Sequence, residues 1–296
     1  MGKEFESFNS ILDNRYSCRA FLKETVPLDL LEEIIATAQK VPSWCNAQPW
    51  QLTLVEGERL EILREKLWEA GKDLYHQPDI SFPSTYEGIY KARRRECGFQ
   101  LYDAVGIEKG DREASFKQTL KNYRFFEAPH IVTITTPKAI GTYGVLDCGA
   151  FITAFTLAAT AKGLATIPQA APAGLAPILR EYLSFEEDRD LVCVISFGYE
   201  DEKHPANQFR TLRAGFNEIV QADKFFGNRK ESKDFPRWKL IGSHTARRSF
   251  ITLSAQRNVP HSIIMQTTGI KSLATLSNYI RFDKDKMNKE ILRAWS

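Results

Sequence analysis

Cysteine is scarce and unpaired in this 296-residue sequence. The five cysteines, at positions 18, 45, 97, 148 and 193, are an odd number and form no Cys-x-x-Cys pair. Neither a disulfide framework nor a structural zinc site is therefore predicted, and a reduced cytoplasm is the expected compartment. The sequence also lacks a run of 18 apolar residues and an apolar signal region at its N-terminus, so we expect neither a membrane span nor a secretory leader.

The formal net charge is small, at +3, but it is unevenly distributed along the chain. Residues 222–296 contain 15 lysines and arginines against 6 acidic residues, a charge of +9, whereas the remainder carries −6. The composition turns polar and charged around residues 223–234. This step predicts a larger domain over 1–222, a junction over 223–237 and a small all-α segment over 238–296.

Hydrophobic periodicity predicts short strands between helices in the larger part. Helical spacing occurs over residues 4–13, after Pro27, and over 57–72, 91–105, 147–162 and 173–183, while 111–124 is either helix or loop. Strand-like runs occupy 51–55, 130–135 and 191–198. The helix over 147–162 is apolar almost all round, which predicts that it is buried. Residues 167–171, with Pro168, are expected to form a rigid loop.

Residues 42–50, Pro-Ser-Trp-Cys-Asn-Ala-Gln-Pro-Trp, combine two prolines, two tryptophans and three small polar side chains. Such a segment cannot continue a helix. It offers hydrogen bonds beside flat apolar surface, which suits a planar ligand with polar edges. The alternative is a packed turn whose two tryptophans lie in the core, and composition alone does not separate the two interpretations.

Two short basic motifs could bind a phosphate group. Arg15, Ser17 and Arg19 alternate within five residues, and Arg210 and Arg213 follow the last predicted strand. A phosphate monoester favours charge-assisted donors together with a hydroxyl group. Arginine pairs are nevertheless common on solvated surfaces, so each motif alone is compatible with both interpretations.

No side chain is predicted to act as a nucleophile or as a general base. Cys45 has no histidine near it in sequence and is interpreted as a small loop residue. His130 and His204 are interpreted as structural or solvated side chains. We therefore assign no catalytic residue and no metal ligand.

Taken together, these motifs resemble those of the FMN-dependent nitroreductase family over residues 4 to about 220. The carrying segments are residues 15–19 (Arg-Tyr-Ser-Cys-Arg), 42–50, and 198–200 leading to 207–213 (Asn-Gln-Phe-Arg-Thr-Leu-Arg). Residues 98–102 (Gly-Phe-Gln-Leu-Tyr) and 125–129 (Phe-Phe-Glu-Ala-Pro) are similar to those of nitrobenzoate-type reductases.

The resemblance implies an α+β fold with a mainly antiparallel sheet flanked by helices, and a homodimer with one FMN in each of two clefts at the subunit interface. Pro42, Ser43, Trp44 and Asn46 would line the flavin of the partner subunit, and residues 168–170 would pass along the ring with a backbone N–H near N5. The cofactor-binding residues implied by motif position are Arg15, Ser17, Arg19, Pro42, Ser43, Trp44, Asn46, Pro168, Gln169, Ala170, Arg210 and Arg213.

The reaction implied by the resemblance is hydride transfer from NAD(P)H, through the flavin, to a nitroaromatic or quinone-like acceptor. The sequence differs from the usual pattern of the family at two positions that would lie near the acceptor. Members of the family often carry glutamate and glycine where this sequence has Ala170 and Ala171. A backbone donor survives this change, whereas the shape of the substrate site changes.

Residues 238–296 resemble the C-terminal end of a tyrosine recombinase of the phage-integrase type. His244, Arg247 and Tyr279 match the order and spacing of groups that bind and attack a DNA phosphate in that family. Ile270 replaces the usual histidine, and the upstream arginine and lysine have no place in this chain. A fused, inactive remnant with weak, non-specific DNA contact is expected. DNA binding or site-specific recombination is the alternative function of the whole chain.

Overall fold

The computed structural model describes residues 2–73, 75–220, 251, 254, 259–272 and 276. The chain forms two compact units, Met1–Arg213 and Ala214–Ser296. The predicted junction over 223–237 lies outside the described residues, so the boundaries 1–222 and 238–296 remain predictions.

The N-terminal unit is built from helices around a four-stranded sheet. Its helices are α1 (Lys3–Asn14), α2 (Leu28–Ala38), α3 (Gly57–Gly71), α4 (Gly88–Ala104), α5 (Arg112–Leu120), α6 (Thr142–Ala161) and α7 (Ala176–Leu183). Its strands are β1 (Gln51–Glu56), β2 (His130–Pro137), β3 (Ala165–Gln169) and β4 (Arg189–Gly198). The helices and the three strands predicted from periodicity are confirmed, with residues 111–124 resolved as a helix that ends at Leu120.

The sheet has the strand order β1-β2-β4-β3, and all three strand pairs are antiparallel. The two central strands, β2 and β4, are rich in β-branched residues and are almost entirely buried. Alternate residues of β4 enter different cores: Val194 packs with α3 and α7, whereas Ile195 and Phe197 pack with α2 and α6. The sheet is therefore covered on both faces. The α+β fold with an antiparallel sheet is confirmed.

The prediction of a loop over residues 167–171 is wrong, because β3 continues through Gln169 and pairs Pro168 with Ile195. Proline suggested a break in the chain, but β3 is the last strand in the order. An edge strand needs no ladder hydrogen bond on its outer side, so it tolerates the missing proline N–H. On that outer side, Ser17 forms an isolated bridge with Thr166.

Helix α6 is buried on one face only, which corrects the expectation of complete burial. Phe151 and Phe155 are fully buried against the sheet, while Tyr143 and Leu146 are exposed. Among the described residues, α6 is the helix whose length and apolar composition would suffice to cross a membrane, and a core helix meets the same criteria. Its outer face is an apolar surface that this protomer leaves uncovered.

In the C-terminal unit the structure describes two helices, α8 (Phe216–Ile219) and α9 (His261–Thr268). Helix α9 lies within the segment 238–296, which the sequence predicts to be helical, and it is capped by Gly269, whose φ of 70° is accessible to glycine without strain. Ile251, Ile264 and Leu276 form a small buried cluster, with Ile270 packed against it. The predicted recombinase residues His244, Arg247 and Tyr279 lie outside the described residues.

Candidate cofactor site

A cavity of about 370 Å³ brings the two predicted basic motifs together. Arg15, Ser17 and Arg19 lie on one wall, and Arg210 and Arg213 lie on the other. The remaining lining residues are Leu12, Asp13, Tyr16, Cys97, Phe209 and Thr211. The two motifs are almost 200 residues apart in sequence, so their convergence is a property of the fold.

The segment 15–19 is held in an extended conformation between β3 and the chain that follows β4. The N–H of Cys18 donates to the carbonyl of Thr166 at 3.0 Å. A few residues further on, the N–H of Leu22 donates to Tyr199 at 2.9 Å, and Ala20 accepts from Asp201 at 3.1 Å. The backbone that carries Arg15 and Arg19 is thus fixed by the sheet before any ligand binds.

Asn207 joins this segment to the basic arm that carries Arg210 and Arg213. Its side chain is buried, and its Oδ1 accepts from the N–H of Arg19 at 2.8 Å. Its Nδ2 donates to the carbonyls of Ala20 and Asp201, both at 2.9 Å. The sequence motif contained Asn207, but no position-specific signal identified it as the residue that connects the two walls.

The electrostatics of the cavity favour an anion. Burial, and secondarily the charge of Arg213, lowers the pKa of the Arg15 guanidinium. Burial likewise lowers the pKa of Arg19. Within the described part of the chain, Asp13 is the acidic residue on the cavity wall. Clustered, partly desolvated arginines are stabilised by a bound anion, because it reduces their mutual repulsion and supplies charge-assisted hydrogen bonds.

Aromatic rings hold two of the cavity arginines. The guanidinium carbon of Arg210 lies 3.7 Å from the ring centroid of Tyr16, and that of Arg19 lies 5.6 Å from the centroid of Phe209. Each contact joins one wall of the cavity to the other. Tyr16, Phe209 and Cys97 were not predicted as site residues, since such contacts depend on residues distant in sequence.

The segment 42–50 forms a tight loop after α2. Cys45, Asn46 and Gln48 have φ angles of 49°, 58° and 46°, an uncommon left-handed conformation for non-glycine residues. Strain of this kind persists only where the surroundings hold it. The N–H of Trp44 donates to the buried carboxylate of Asp147 at 3.1 Å, which ties the loop to α6.

The two tryptophans of this loop have different environments, so neither sequence interpretation describes both. Trp50 packs on the core against Phe151, with ring centroids 5.1 Å apart. Trp44 contacts Tyr143 at 4.8 Å and remains 59 % exposed. Pro42 and Ser43 precede it at the same surface. The loop therefore presents a flat aromatic face outward.

Pro168 and Gln169 lie at the end of β3, and Ala170 follows them. The side chain of Gln169 is buried and bonded internally, accepting from Ser196 Oγ and donating to the carbonyl of Asn122 at 3.1 Å. A ligand along this segment would therefore meet its backbone and Ala170, which is exposed. Because Ser17 pairs with Thr166, these three residues lead along the chain directly from the arginine cavity.

Within one protomer, the predicted site residues fall into two groups. The lining of the arginine cavity includes none of Pro42, Ser43, Trp44 and Asn46, and none of residues 168–170. The structure thus brings the five residues of the two basic motifs to one cavity, whose lining does not include the tryptophan loop (residues 42–50). Their role in cofactor binding stays a prediction.

Both histidines singled out in the sequence have structural contacts. The Nε2 atom of His130 accepts from the N–H of Val26 at 2.8 Å, and its Nδ1 lies 2.8 Å from a carboxylate oxygen of Glu56. The Nδ1 atom of His204 accepts from the N–H of Ala206 at 3.1 Å. Over the residues that the structure describes, no group of His, Cys, Asp and Glu has an arrangement suited to a metal ion.

Comparison with known proteins identifies relatives over most of the chain. A profile of the Nitroreductase family matches residues 12–199. The 4-nitrobenzoate reductase of Pseudomonas putida is 29 % identical over 74 % of this chain and 98 % of its own length. The 4-nitrobenzoate reductase of a Nocardioides species is 31 % identical over 70 % of this chain and 86 % of its own length.

Solved structures agree with the sequence relatives. The crystal structure of the FMN-dependent nitroreductase NfnB from Mycobacterium smegmatis, in complex with NADPH, has a TM-score of 0.71. It is 29 % identical and aligns with 75 % of this chain and all of its own. The profile match ends at residue 199, before the C-terminal unit begins.

Proposed function

This chain belongs to the nitroreductase family, and from this premise we propose that it is an FMN-dependent oxidoreductase. It transfers hydride from NAD(P)H to a nitroaromatic or quinone-like acceptor. Relatives named 4-nitrobenzoate reductase and an FMN-dependent relative solved with NADPH support this reaction and this pair of cofactors.

The observation that carries the proposal is the arginine cavity. Its two walls bring Arg15, Arg19, Arg210 and Arg213 together with the hydroxyl of Ser17. This donor set fits a phosphate monoester, since it combines four guanidinium groups with one neutral hydroxyl donor. Burial lowers the pKa values of Arg15 and Arg19, with a second contribution from Arg213 at Arg15, and the FMN phosphate would offset this desolvation.

Bound FMN supplies the chemistry, accepting and donating hydride at N5. The residues of this chain bind and orient it. The arginine cavity would hold the phosphate, and the backbone of Pro168, Gln169 and Ala170, at the end of the strand next to it, would contact the ring. No protein nucleophile or general base is required, and His130 and His204 are engaged in the fold.

We further propose that the active form is a homodimer in which the tryptophan loop completes the site of the other protomer. Pro42, Ser43, Trp44 and Asn46 are at least partly exposed, and none of them lines the arginine cavity of the same chain. Apolar residues are also exposed on the outer face of α6, which contacts the loop, and along α1, which contacts α6. They are Phe5, Phe8, Leu12, Tyr143 and Leu146.

The spacing of Phe5, Phe8 and Leu12 makes a single apolar stripe on α1, and none of this helix is buried within the protomer. A contiguous apolar surface of this kind is typical of protein interfaces. We propose that a second copy of the chain packs against this surface. Such a dimer would bury both helices and would place the tryptophan loop of each chain at the cofactor site of the other.

The test uses the purified full-length chain. It is expected to be yellow, to release FMN on denaturation, and to oxidise NADPH faster when 4-nitrobenzoate is added. NADH and a quinone, measured in parallel, identify the preferred donor and acceptor. A colourless protein that takes up no added FMN would contradict the proposal. A protein that binds FMN without oxidising NADPH or NADH would restrict the proposal to flavin binding.

The C-terminal unit is assigned no reaction. The basic composition of residues 222–296 remains the argument for weak DNA contact, and the described residues of this unit show only a small apolar cluster. A cytoplasmic location likewise remains a prediction from the cysteine content.

A further inference from the structure

Tyr16 lies directly beneath one of the cavity arginines. The distance of 3.7 Å from the guanidinium carbon of Arg210 to the ring centroid is well inside the range of about 6 Å for a cation–π contact. At this distance the guanidinium stacks on the ring, so the position of the ring determines where Arg210 can direct its donors.

The far end of the Tyr16 ring is itself held. Its hydroxyl donates to the carboxylate of Glu200. The backbone of Glu200 is in turn fixed by an isolated bridge with Phe21. Burial, followed by the hydrogen bond to Glu200, raises the pKa of the phenol. Tyr16 therefore remains a neutral donor throughout the physiological pH range and keeps its ring in place.

Arg210 has two further contacts, both through one nitrogen. Its Nη1 donates to the carbonyls of Asn207 at 2.7 Å and Phe209 at 3.0 Å. Among the described residues, these carbonyls and the Tyr16 ring are its protein partners. The other guanidinium nitrogens, Nε and Nη2, donate to no described residue and are available to a ligand in the cavity that Arg210 lines. The plane of the ring sets their orientation.

We propose that Tyr16 is a positioning residue that holds Arg210 over the cavity for the phosphate of the flavin nucleotide. The site thereby distinguishes FMN from riboflavin, which has the same ring system without the phosphate. This inference rests on the proposed FMN-dependent function, and it assigns to Tyr16 a role in cofactor selection.

A purely structural role for Tyr16 makes a different prediction. Tyr16 also packs against a small cluster that contains Cys18, Phe21 and Ile167. If its contribution were packing alone, its loss would weaken the binding of both flavins, since both need the same folded cavity. If Tyr16 acts through Arg210, only the flavin that carries a phosphate is affected.

The experiment measures the dissociation constants of FMN and riboflavin by flavin fluorescence. The proteins are full-length chains freed of flavin: wild type, Tyr16→Leu, Tyr16→Phe, Arg210→Gln, and the double variant Tyr16→Leu/Arg210→Gln. Tyr16→Leu is expected to weaken FMN binding about tenfold, the size of a well-formed cation–π contact, and to leave riboflavin unchanged. Tyr16→Phe retains the ring and restores most of the FMN affinity.

The double variant tests whether Tyr16 acts through Arg210. Its FMN affinity is expected to equal that of Arg210→Gln alone, because the ring then has no guanidinium to position. Additive losses would overturn the inference, as would equal losses for FMN and riboflavin, or an unchanged FMN affinity in Tyr16→Leu. A wild-type chain that binds neither flavin would overturn the proposed function itself.

A second variant keeps the inference testable if Tyr16→Leu fails to fold. Glu200→Gln leaves the Tyr16 ring present, replaces the charged acceptor of its hydrogen bond by a neutral one, and removes one negative charge beside it. It is expected to reduce FMN affinity about threefold, the scale of one net hydrogen bond, with riboflavin again unchanged. No difference between the two flavins in this variant would contradict the role of Tyr16.

Discussion

The two halves of the proposed cofactor site differ in how completely one protomer builds them. The arginine cavity is closed by contacts within the chain: the Asn207 side chain and two arginine–aromatic contacts connect its walls. The tryptophan loop is equally well tied to its own helix through Asp147, yet it presents Trp44 to the exterior. A preformed phosphate site can retain a nucleotide, whereas enclosing the reactive ring requires a second surface.

The largest effect is expected from the variant that removes this second surface. Leu146, 66 % exposed on the outer face of α6, lies on the proposed interface. In Leu146→Glu, dimer formation would bury an unpaired carboxylate, at a cost of about 3 kcal/mol or roughly a hundredfold in the dimer dissociation constant. Sedimentation is expected to show a monomer, and NADPH oxidation is expected to be lost.

The matched control is Ile62→Glu, which places the same charge at an exposed apolar residue of α3. This variant is expected to remain dimeric and active. A monomeric Leu146→Glu protein with full turnover would show that the tryptophan loop is not needed from a second chain. Both parts of the cofactor site would then be complete in one chain.

The next largest effect is expected on FMN binding, from a change in the arginine cavity. Arg15→Ala removes a charged donor from the cavity, and hydrogen bonds to charged groups contribute about 1.5–3 kcal/mol. FMN affinity is therefore expected to fall at least tenfold, with the dimer intact. Equilibrium dialysis against FMN measures the change. Arg112→Ala, an exposed arginine at the start of α5, is the control and is expected to retain FMN.

Arg15→Ala also distinguishes the two halves from each other. If FMN content and activity equal those of wild type, the cavity is not the phosphate site, even if the fold and the dimer are as proposed. If Leu146→Glu nevertheless loses activity, the cofactor would have to bind at the dimer interface and not in the arginine cavity.

Much of the fold was predictable because its signals are local. The apolar spacing after Pro27 indicated α2, and Leu31, Ile34 and Ala38 are buried as that spacing requires. The run of β-branched residues after His130 indicated a strand, and β2 begins there. The error at β3 has a physical reason: Pro168 is incompatible with a central strand but compatible with an edge, and strand order is not a local property.

The site was predictable only as a set of motifs. Their residue types and order suggested phosphate binding, and the fold brings those residues into one cavity. The contacts between Tyr16 and Arg210 and between Arg19 and Phe209 could not be predicted, because each joins residues about 190 positions apart. The exposed face of α6 was missed for a related reason. An apolar composition predicts that a helix is buried, but it does not tell whether the same chain or a second copy of the chain packs against it.

A smaller effect is expected from His130, which supports the start of the segment leading to the tryptophan loop. Burial lowers its pKa below the ordinary value of 6.5, although Glu56 opposes this shift. Its Nε2 accepts from Val26, just before α2, and a protonated ring could not accept this hydrogen bond. In the folded protein the ring is therefore neutral near pH 7.

The sign of the pH dependence follows from this lowered pKa. As the pH falls through 6.5, His130 takes up a proton in the unfolded chain before it does so in the folded protein. The contribution of the neutral ring to the free energy of unfolding is therefore fully present above pH 6.5 and decreases below it. The decrease is at most about 1.4 kcal/mol per pH unit for one proton. Thermal unfolding at pH 7.5 and 5.5 measures it.

His130→Gln provides the matched variant, since its amide oxygen can accept from Val26 and does not titrate. The loss of stability between the two pH values is expected to be smaller than in wild type. The same loss in both proteins would mean that other groups, such as His204, cause it. If wild-type protein retains less flavin at acid pH while the arginine cavity remains intact, the tryptophan loop is the part of the site that is sensitive to acid.

The smallest effect is expected outside both halves of the site. Tyr279→Phe removes the hydroxyl that the recombinase resemblance makes its nucleophile, while every proposed flavin contact lies between Arg15 and Arg213. FMN content and NADPH oxidation are expected to equal those of wild type within experimental error. The full-length variant is compared with wild type at the same FMN saturation. Reduced turnover with normal FMN content would show that residues beyond Arg213 contribute to acceptor binding, and that the reductase is not confined to the N-terminal unit.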